Sequence, residues 1–469
     1  MEPDPIGLLI VLVASAIACF GEGAAIRTAV ALQVFPATAL ASLSALGGAS
    51  VTVPQFGLVL LFVLAMTRRR PLLRVAAALA REPACQTLAL FAVYAVASAL
   101  LFPRLFAGST EVFTLARVAE VIVTVPLAPS SGNITQTFYI LGDIIAFFCV
   151  VTLARDARSA AAFAAGLKAL VGLQVGAALL DAAGKYAGAG AIIGFVHTAS
   201  YTTLTEVDVG GIPRLTGTYA EASSFAVFSA GQIALAFAMW RGGADGRAWP
   251  ALACLLIVLV ALSTSSVGYV FLGLAGMWFS LLAAAEFFRG RVQRSTLLVL
   301  ATVPVGVLAL LALVLMDDAV LRGLSDFFDQ MLFNKGTSES GRERSSWNAQ
   351  ALLNLRETAG FGIGLGSARS SSWLLSLLSQ LGLFGGALYL LFVALALATP
   401  SAGAEAGGGM VQVRAFQRGC KALILATMLA ASFSWTLADL GLTFHIAAAL
   451  TVCLGRLPSG AGVVQGSGV

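Results

Sequence analysis

Two polar segments set against long apolar runs hold the side chains best suited to chemistry. The first is Arg214-Leu-Thr-Gly217-Thr218-Tyr-Ala-Glu221-Ala-Ser223, which leads into an apolar run. The second opens Ser340-Gly-Arg342-Glu343-Arg344, passes Trp347, and reaches Gly362-Ile-Gly364-Leu-Gly366-Ser367, Arg369 and a serine run. Arginine offers a planar fork of N–H donors that matches phosphate oxygens, and it keeps its charge near lipid. Arg214, Arg342, Arg344 and Arg369 are therefore candidates to converge on a phosphate group near the headgroup plane. A plainer role competes: Thr218 with Glu221, and Ser340 with Glu343, have the spacing of a helix capping box. The three alternate glycines lack the strand and the spacing of a dinucleotide fingerprint. They permit an unusual backbone and the close approach of a ligand or helix.

The elements that must position these residues are hydrophobic. The chain is 59% apolar and 11% charged, against roughly a quarter charged in soluble domains, and its mean hydropathy is +0.92. Runs of about 20 apolar residues recur throughout, so the chain reads as one domain over 1–469, an all-α polytopic integral membrane protein with about 12–14 transmembrane helices. The expected spans are 5–20, 28–48, 52–67, 85–103, 135–154, 160–181, 222–240, 249–263, 266–288, 295–316, 372–398, 419–437 and 440–456. The second, with Arg27 and Pro36, is a candidate for a tilted or re-entrant segment. The N-terminal run has no basic flank or cleavage site and reads as a first membrane helix.

Arginines set the expected orientation. Arg68–Arg70 and Arg74, then Arg155 and Arg158, Arg241 and Arg247, Arg289–Arg294, Arg414–Lys421 and Arg456 fall on one side by alternation, the cytoplasmic one. That places two long connections, 182–221 and 317–371, outside, where loops of such length are usually functional. A smaller outer loop spans 104–134. Residues 317–333 have the pattern of an amphipathic helix at the membrane interface or capping the bundle. The net charge of +5 fits cytoplasmic arginines, and no basic run interleaved with aromatics points to nucleic acid. Six cysteines in or beside apolar stretches read as buried hydrophobes. Within the spans, Asp143 and Lys168 are expected to pair, while Asp439 and His445 also sit in or near apolar stretches. Ser263–Ser266 is expected to cap the ninth span.

Arg214-x-x-Gly217-x-x-x-Glu221-Ala-Ser223, Ser340-x-Arg342 with the Gly362–Gly366 turn, and Leu377-Leu-Ser-Gln-Leu-Gly382-Leu-Phe-Gly385 stand in this order. In these motifs, over roughly residues 200 to 400, the chain resembles the O-antigen ligase and O-antigen (exopolysaccharide) polymerase superfamily of bacterial envelope glycosyltransferases. Two positions depart from that pattern. Glu-Pro-Ser becomes Glu221-Ala222-Ser223, and the ligase His-Asn or His-Ser pair is replaced by Ser371-Ser372. The only histidines are His197 and His445, so the resemblance favours the polymerase branch over the ligase.

The resemblance implies a metal-independent, cofactor-free glycosyltransferase in the bacterial inner membrane. Its substrate would be undecaprenyl-pyrophosphate-linked oligosaccharide, joined at the periplasmic face, and it admits a chain-length regulator as partner. Glu221 would be the general base, with Arg214 and Arg342 catalytic and Arg344 and Arg369 helping to bind pyrophosphate. No Asp-x-Asp pair with suitable flanks lies in either long loop. The rival class is a lipid-linked sugar flippase or solute transporter, which would show central polar residues and broken helices in both halves.

Overall fold

Helix is the form this sequence takes in lipid, because each backbone N–H then finds a carbonyl within its own segment. The computed structural model describes residues 2–43, 49–116, 121–187, 193–199, 208–209, 212–243, 247–290, 292, 296–297, 339–401 and 408–457. Fourteen α-helices are present among them. In chain order they are α1 (Pro5–Ala18), α2 (Glu22–Ala31), α3 (Val53–Met66), α4 (Pro71–Arg81), α5 (Pro83–Leu105), α6 (Ser131–Leu153) and α7 (Ala157–Tyr186). They continue with α8 (Ala222–Arg241), α9 (Ala248–Leu262), α10 (Ser266–Phe288), α11 (Glu339–Glu357), α12 (Trp373–Ala398), α13 (Gly408–Phe433) and α14 (Leu442–Leu454).

Six of these, α5, α6, α7, α8, α10 and α12, are long and apolar enough to cross a membrane. The apolar α1, α3, α9 and α14 have only 13 to 15 residues. At about 1.5 Å per residue, each covers roughly two-thirds of a hydrocarbon layer ~30 Å thick. The outward faces are apolar: Leu9 and Leu12 of α1, Phe62 and Val63 of α3, Val93 and Leu101 of α5, and Trp278 and Leu281 of α10 are exposed. A girdle of that extent is stable only against lipid. The protein is an all-α polytopic membrane protein.

Inside, α8 is the most enclosed of the six and packs against α13 and α9. Its buried Ala226, Ser229, Ala230 and Ala236 are small enough to bring backbones close, as membrane helices require in place of a hydrophobic drive. Helix α5 lies against α12, α2 against α7, and α6 against α14.

Several expectations change. The second span is not one helix: α2 ends in a 3-10 turn (Leu32–Val34), and the chain turns at Pro36 into strands β2 (Ala39–Leu43) and β3 (Ala49–Thr52). Pro36 cannot donate to a helical ladder and disfavours helix in the residue before it. β2 also pairs with β1 (Glu2–Pro3). The loop 104–134 holds a hairpin of β4 (Glu111–Ala116) and β5 (Val121–Pro126). Helix α4, with Leu72 and Leu73 exposed among arginines, was not anticipated and suits an interfacial position. Helix α13 starts earlier than expected and ends at Phe433, leaving 434–441 largely unwound before α14. The tenth span and the amphipathic segment 317–333 lie outside the described residues.

Polar contacts sort the connections into two ends. At one end Arg68 pairs with Glu22, Arg241 with Glu286 and Arg456 with Glu82, while Arg74 Nη1 donates to Thr152 O at 3.1 Å. The other end collects β1–β5, the 193–199 and 212–221 segments, α11 and the 358–372 loop. Single cysteines in a cysteine-free background test this division. Exposed Ser345 and exposed Arg158 lie at opposite ends, so Ser345→Cys and Arg158→Cys should differ in labelling by an impermeant thiol reagent added to intact cells. Equal labelling of both would contradict the arrangement.

Candidate anion-binding site

The 212–221 segment is pinned from below by an acid that sequence reasoning overlooked. Asp181, buried near the end of α7, accepts from the backbone N–H groups of Thr216 and Gly217 at 2.8 and 2.9 Å. Lys185, one turn on, pairs with Asp181 at 3.1 Å and donates to Arg214 O at 2.7 Å. Thr218 Oγ1 donates to Val34 O rather than capping α8, so the expected Thr218–Glu221 box does not form. Beneath it, Tyr219 donates to Gln174 Oε1 at 3.0 Å, and Gln232 reaches the same oxygen at 2.7 Å. The loop is thus fixed to α7 and to Val34 by hydrogen bonds, and α7 is tied to α8 beneath it.

Glu221 is itself the N-cap residue of α8, with extended backbone and no side-chain cap bond. Its carboxylate is half-buried and accepts from Ser223 Oγ and, at 3.5 Å, from Ser224 Oγ. Arg214 is half-buried and its Nε has no hydrogen-bond partner. Burial pulls its pKa below the usual arginine value; Glu221 opposes that fall, and the neighbouring charge of Arg344 adds to it. Arg369 shows the same pattern, with Nε buried and unpartnered, and burial lowering its pKa against the pull of Glu221. Arg344 reaches Ser434 Oγ at 3.1 Å.

Arg214 and Arg369 therefore each lie within electrostatic reach of Glu221, and Arg344 and Tyr269 of α10 act on Arg214 as well. Arg342 does not join them. It is exposed, and a helical residue two positions from Arg344 lies on a different face. In α11, which is described from Glu339, Ser340 is a helical residue.

Arg369 is placed by a tight strap. Gly360, Gly362, Gly364 and Gly366 all have positive φ. A Cβ on Gly366 would stand 2.3 Å from Gly132 O, so the strap lies directly on the start of α6. There Asn133 Nδ2 donates to Leu365 O at 2.7 Å and to Ser367 Oγ at 2.8 Å. From the other side, Gln380 accepts from Gly366 N at 2.7 Å and donates to Ala368 O at 2.9 Å. Helix α12 kinks at Gly382 (φ 68), where a Cβ would be 2.2 Å from Phe361 O. The Gln380-Leu-Gly382 motif thus holds the glycine strap, and Arg369 N completes it by donating to Phe113 O at 3.0 Å. Ser371 is buried and donates through its backbone N to Asn348 Oδ1 at 2.9 Å.

His197, set aside on sequence grounds, lies beside the site. Its ring lies near the backbone of Gly217 and Tyr219 with both ring nitrogens buried and without a hydrogen-bond partner, and burial lowers its pKa below the ordinary histidine value. Ser265 occupies the N-cap position of α10 but makes no cap bond through its side chain, and its Oγ is buried without a partner. Asp143 does not pair with Lys168. It faces His445 and Asp439 instead, while Lys168 Nζ lies 6.0 Å from the Trp249 ring.

Held by rigid supports, two half-buried guanidinium groups with buried, unfilled Nε donors beside one carboxylate can bind an anion and accept a proton next to it. The fold and site define a polytopic membrane protein with a candidate anion site at one end of its bundle. The chain matches no known family model and no curated protein.

The supports can be tested apart from the chemistry. Gly382→Val forces a side chain into the Phe361 carbonyl at positive φ and should cost about 3 kcal/mol or more, seen as a sharp fall in folded yield and melting temperature. Gly276→Ala, where a Cβ would meet nothing within 4 Å, should leave both unchanged. Equal yields would contradict the strap's role.

Proposed function

We propose that the protein is a polysaccharide polymerase that joins undecaprenyl-pyrophosphate-linked oligosaccharide units at the outer face of the bacterial inner membrane. The observation that carries this reading is the placement of Arg214 and Arg369 beside Glu221, with their two guanidinium Nε atoms buried and unfilled and with Arg344 near Arg214. The arginine-rich end opposite suits the cytoplasm, which leaves the site facing the periplasm.

In this reading an acceptor sugar hydroxyl attacks the anomeric carbon of the donor. The new carbon–oxygen bond forms as the bond to the pyrophosphate oxygen breaks, and the hydroxyl proton passes to Glu221. Arg214 and Arg369 hold the departing pyrophosphate, where negative charge grows in the transition state. Their partial desolvation strengthens that attraction, since charges interact more strongly where water is scarce. Arg344 adds positive charge from α11. Arg342, exposed on another face of that helix, contributes little.

Lysine keeps the charge and loses the fork. Arg214→Lys and Arg369→Lys should each lower polymer formation about a hundredfold at matched protein abundance, while Arg342→Lys stays near normal. Polymer length and amount in a deletion strain carrying each variant read this directly. Near-normal polymer from both Arg214→Lys and Arg369→Lys would sink the pyrophosphate site. Lipid-linked repeats accumulating inside the deletion strain would favour a flippase instead, and full-length polymer left unattached to its lipid core would favour a ligase.

A further inference from the structure

A second polar cluster lies inside the bundle and takes no part in the arginine site. Asp143 projects from α6, Asp439 from the unwound 434–441 segment and His445 from α14, and all three are buried. His445 Nδ1 stands 3.5 Å from Asp143 Oδ2, 4.0 Å from Asp439 Oδ1 and 3.1 Å from Gly441 O. One ligand atom from each of the three side chains lies within 4.8 Å of the others. Asp143 is only 4% exposed, yet its Oδ2 has no hydrogen-bond partner. Among the described residues no lysine or arginine makes an ion pair with either carboxylate.

Two ionised carboxylates buried with one imidazole are costly in a low-dielectric interior unless a positive ion offsets their charge or a proton neutralises it. We propose that Asp143, Asp439 and His445 bind a divalent transition-metal ion. Ligands about 2.0–2.2 Å from a shared ion stand roughly 3.2–4.2 Å apart, the range in which Nδ1 meets the two carboxylate oxygens. The mixed nitrogen and oxygen donors suit Zn²⁺ or Mn²⁺ over soft ions.

The surroundings support this reading. With Nδ1 on the ion, the remaining ring proton sits on Nε2, which faces Tyr389 Oη at 3.4 Å. A ligating imidazole ordinarily needs such an outer partner. The backbone that carries Asp439 is held by one internal hydrogen bond and two from α12. Trp435 Nε1 donates to Asp439 O at 2.6 Å, Trp373 Nε1 to Ala438 O at 3.0 Å and Ser376 Oγ to Thr436 O at 3.1 Å. Unwound backbone at membrane depth is tolerated where protein encloses it. The segment begins at Ser434, which Arg344 contacts. Once bound, the ion ties α6 to α14 and fixes the segment on which Arg344 rests.

The test uses full-length protein in lipid nanodiscs, stripped with a chelator, dialysed, and titrated with Zn²⁺ or Mn²⁺. We expect one tightly held ion per chain by elemental analysis, a higher melting temperature with metal, and loss of the ion in Asp143→Asn and His445→Gln. Trp373 and Trp435 hold the segment, so metal should also shift the wild-type tryptophan emission and a chelator should reverse it, a readout that needs no variant. A wild-type protein that stays metal-free at saturating metal, with unchanged emission, would overturn the proposal and leave a cluster that holds protons only. Full retention of the ion by a folded Asp143→Asn protein would overturn it as well. Neither result depends on polymerase activity.

Discussion

A polar group in a bilayer must find its partner within the chain, and most features of this molecule follow from that constraint. The backbone meets it with helices, and with small antiparallel sheets where the chain leaves them. Side chains meet it with buried pairs such as Asp181–Lys185 and networks such as Tyr219–Gln174–Gln232. Against this background a few buried groups whose needs are not met stand out, three of them charged side chains. Arg214 Nε, Arg369 Nε and Asp143 Oδ2 are each buried without a hydrogen-bond partner, and each is assigned here to a site where a ligand supplies what the protein does not.

The two sites are joined by packing. Helix α12 carries Gln380 and Gly382, which hold the glycine strap, and Trp373 and Ser376, which hold the 434–441 segment. Arg344 touches the start of that segment, and Asp439 lies further along it. A change at the buried cluster therefore has a short physical route to the arginines. It runs through backbone that is hydrogen-bonded to one helix.

How much of this was legible in the sequence depended on the kind of signal. Long apolar runs marked α5 to α8, α10 and α12 well, because a span of 20 or more residues leaves little choice of structure. The Arg214–Glu221 and Gly362–Arg369 segments were also visible, since polar residues beside apolar runs are costly unless used. The break after α2 was harder, because one proline in an apolar stretch permits either a kink or a turn. Arg342 and Arg344 could not be told apart without the face that α11 turns to Ser434. Asp181 and His197 carried no local pattern, and the Asp143–Asp439–His445 cluster spans some 300 residues of sequence. Only the packing of α6 on α14 brings it together. Lys168 misled because two opposite charges on successive spans suggest a pair, whereas depth and rotation decide who meets whom.

The central claim is that half-buried guanidinium groups with buried, unfilled Nε donors make a site for a lipid pyrophosphate. Direct binding measures it best, with purified protein in nanodiscs and undecaprenyl pyrophosphate set against undecaprenyl monophosphate. The account predicts tighter binding of the pyrophosphate lipid and a loss of about tenfold or more in Arg214→Lys and Arg369→Lys, the effect of one hydrogen bond to a charged group at ~1.5 kcal/mol. Equal affinity for the two lipids, unchanged in both variants, would contradict it.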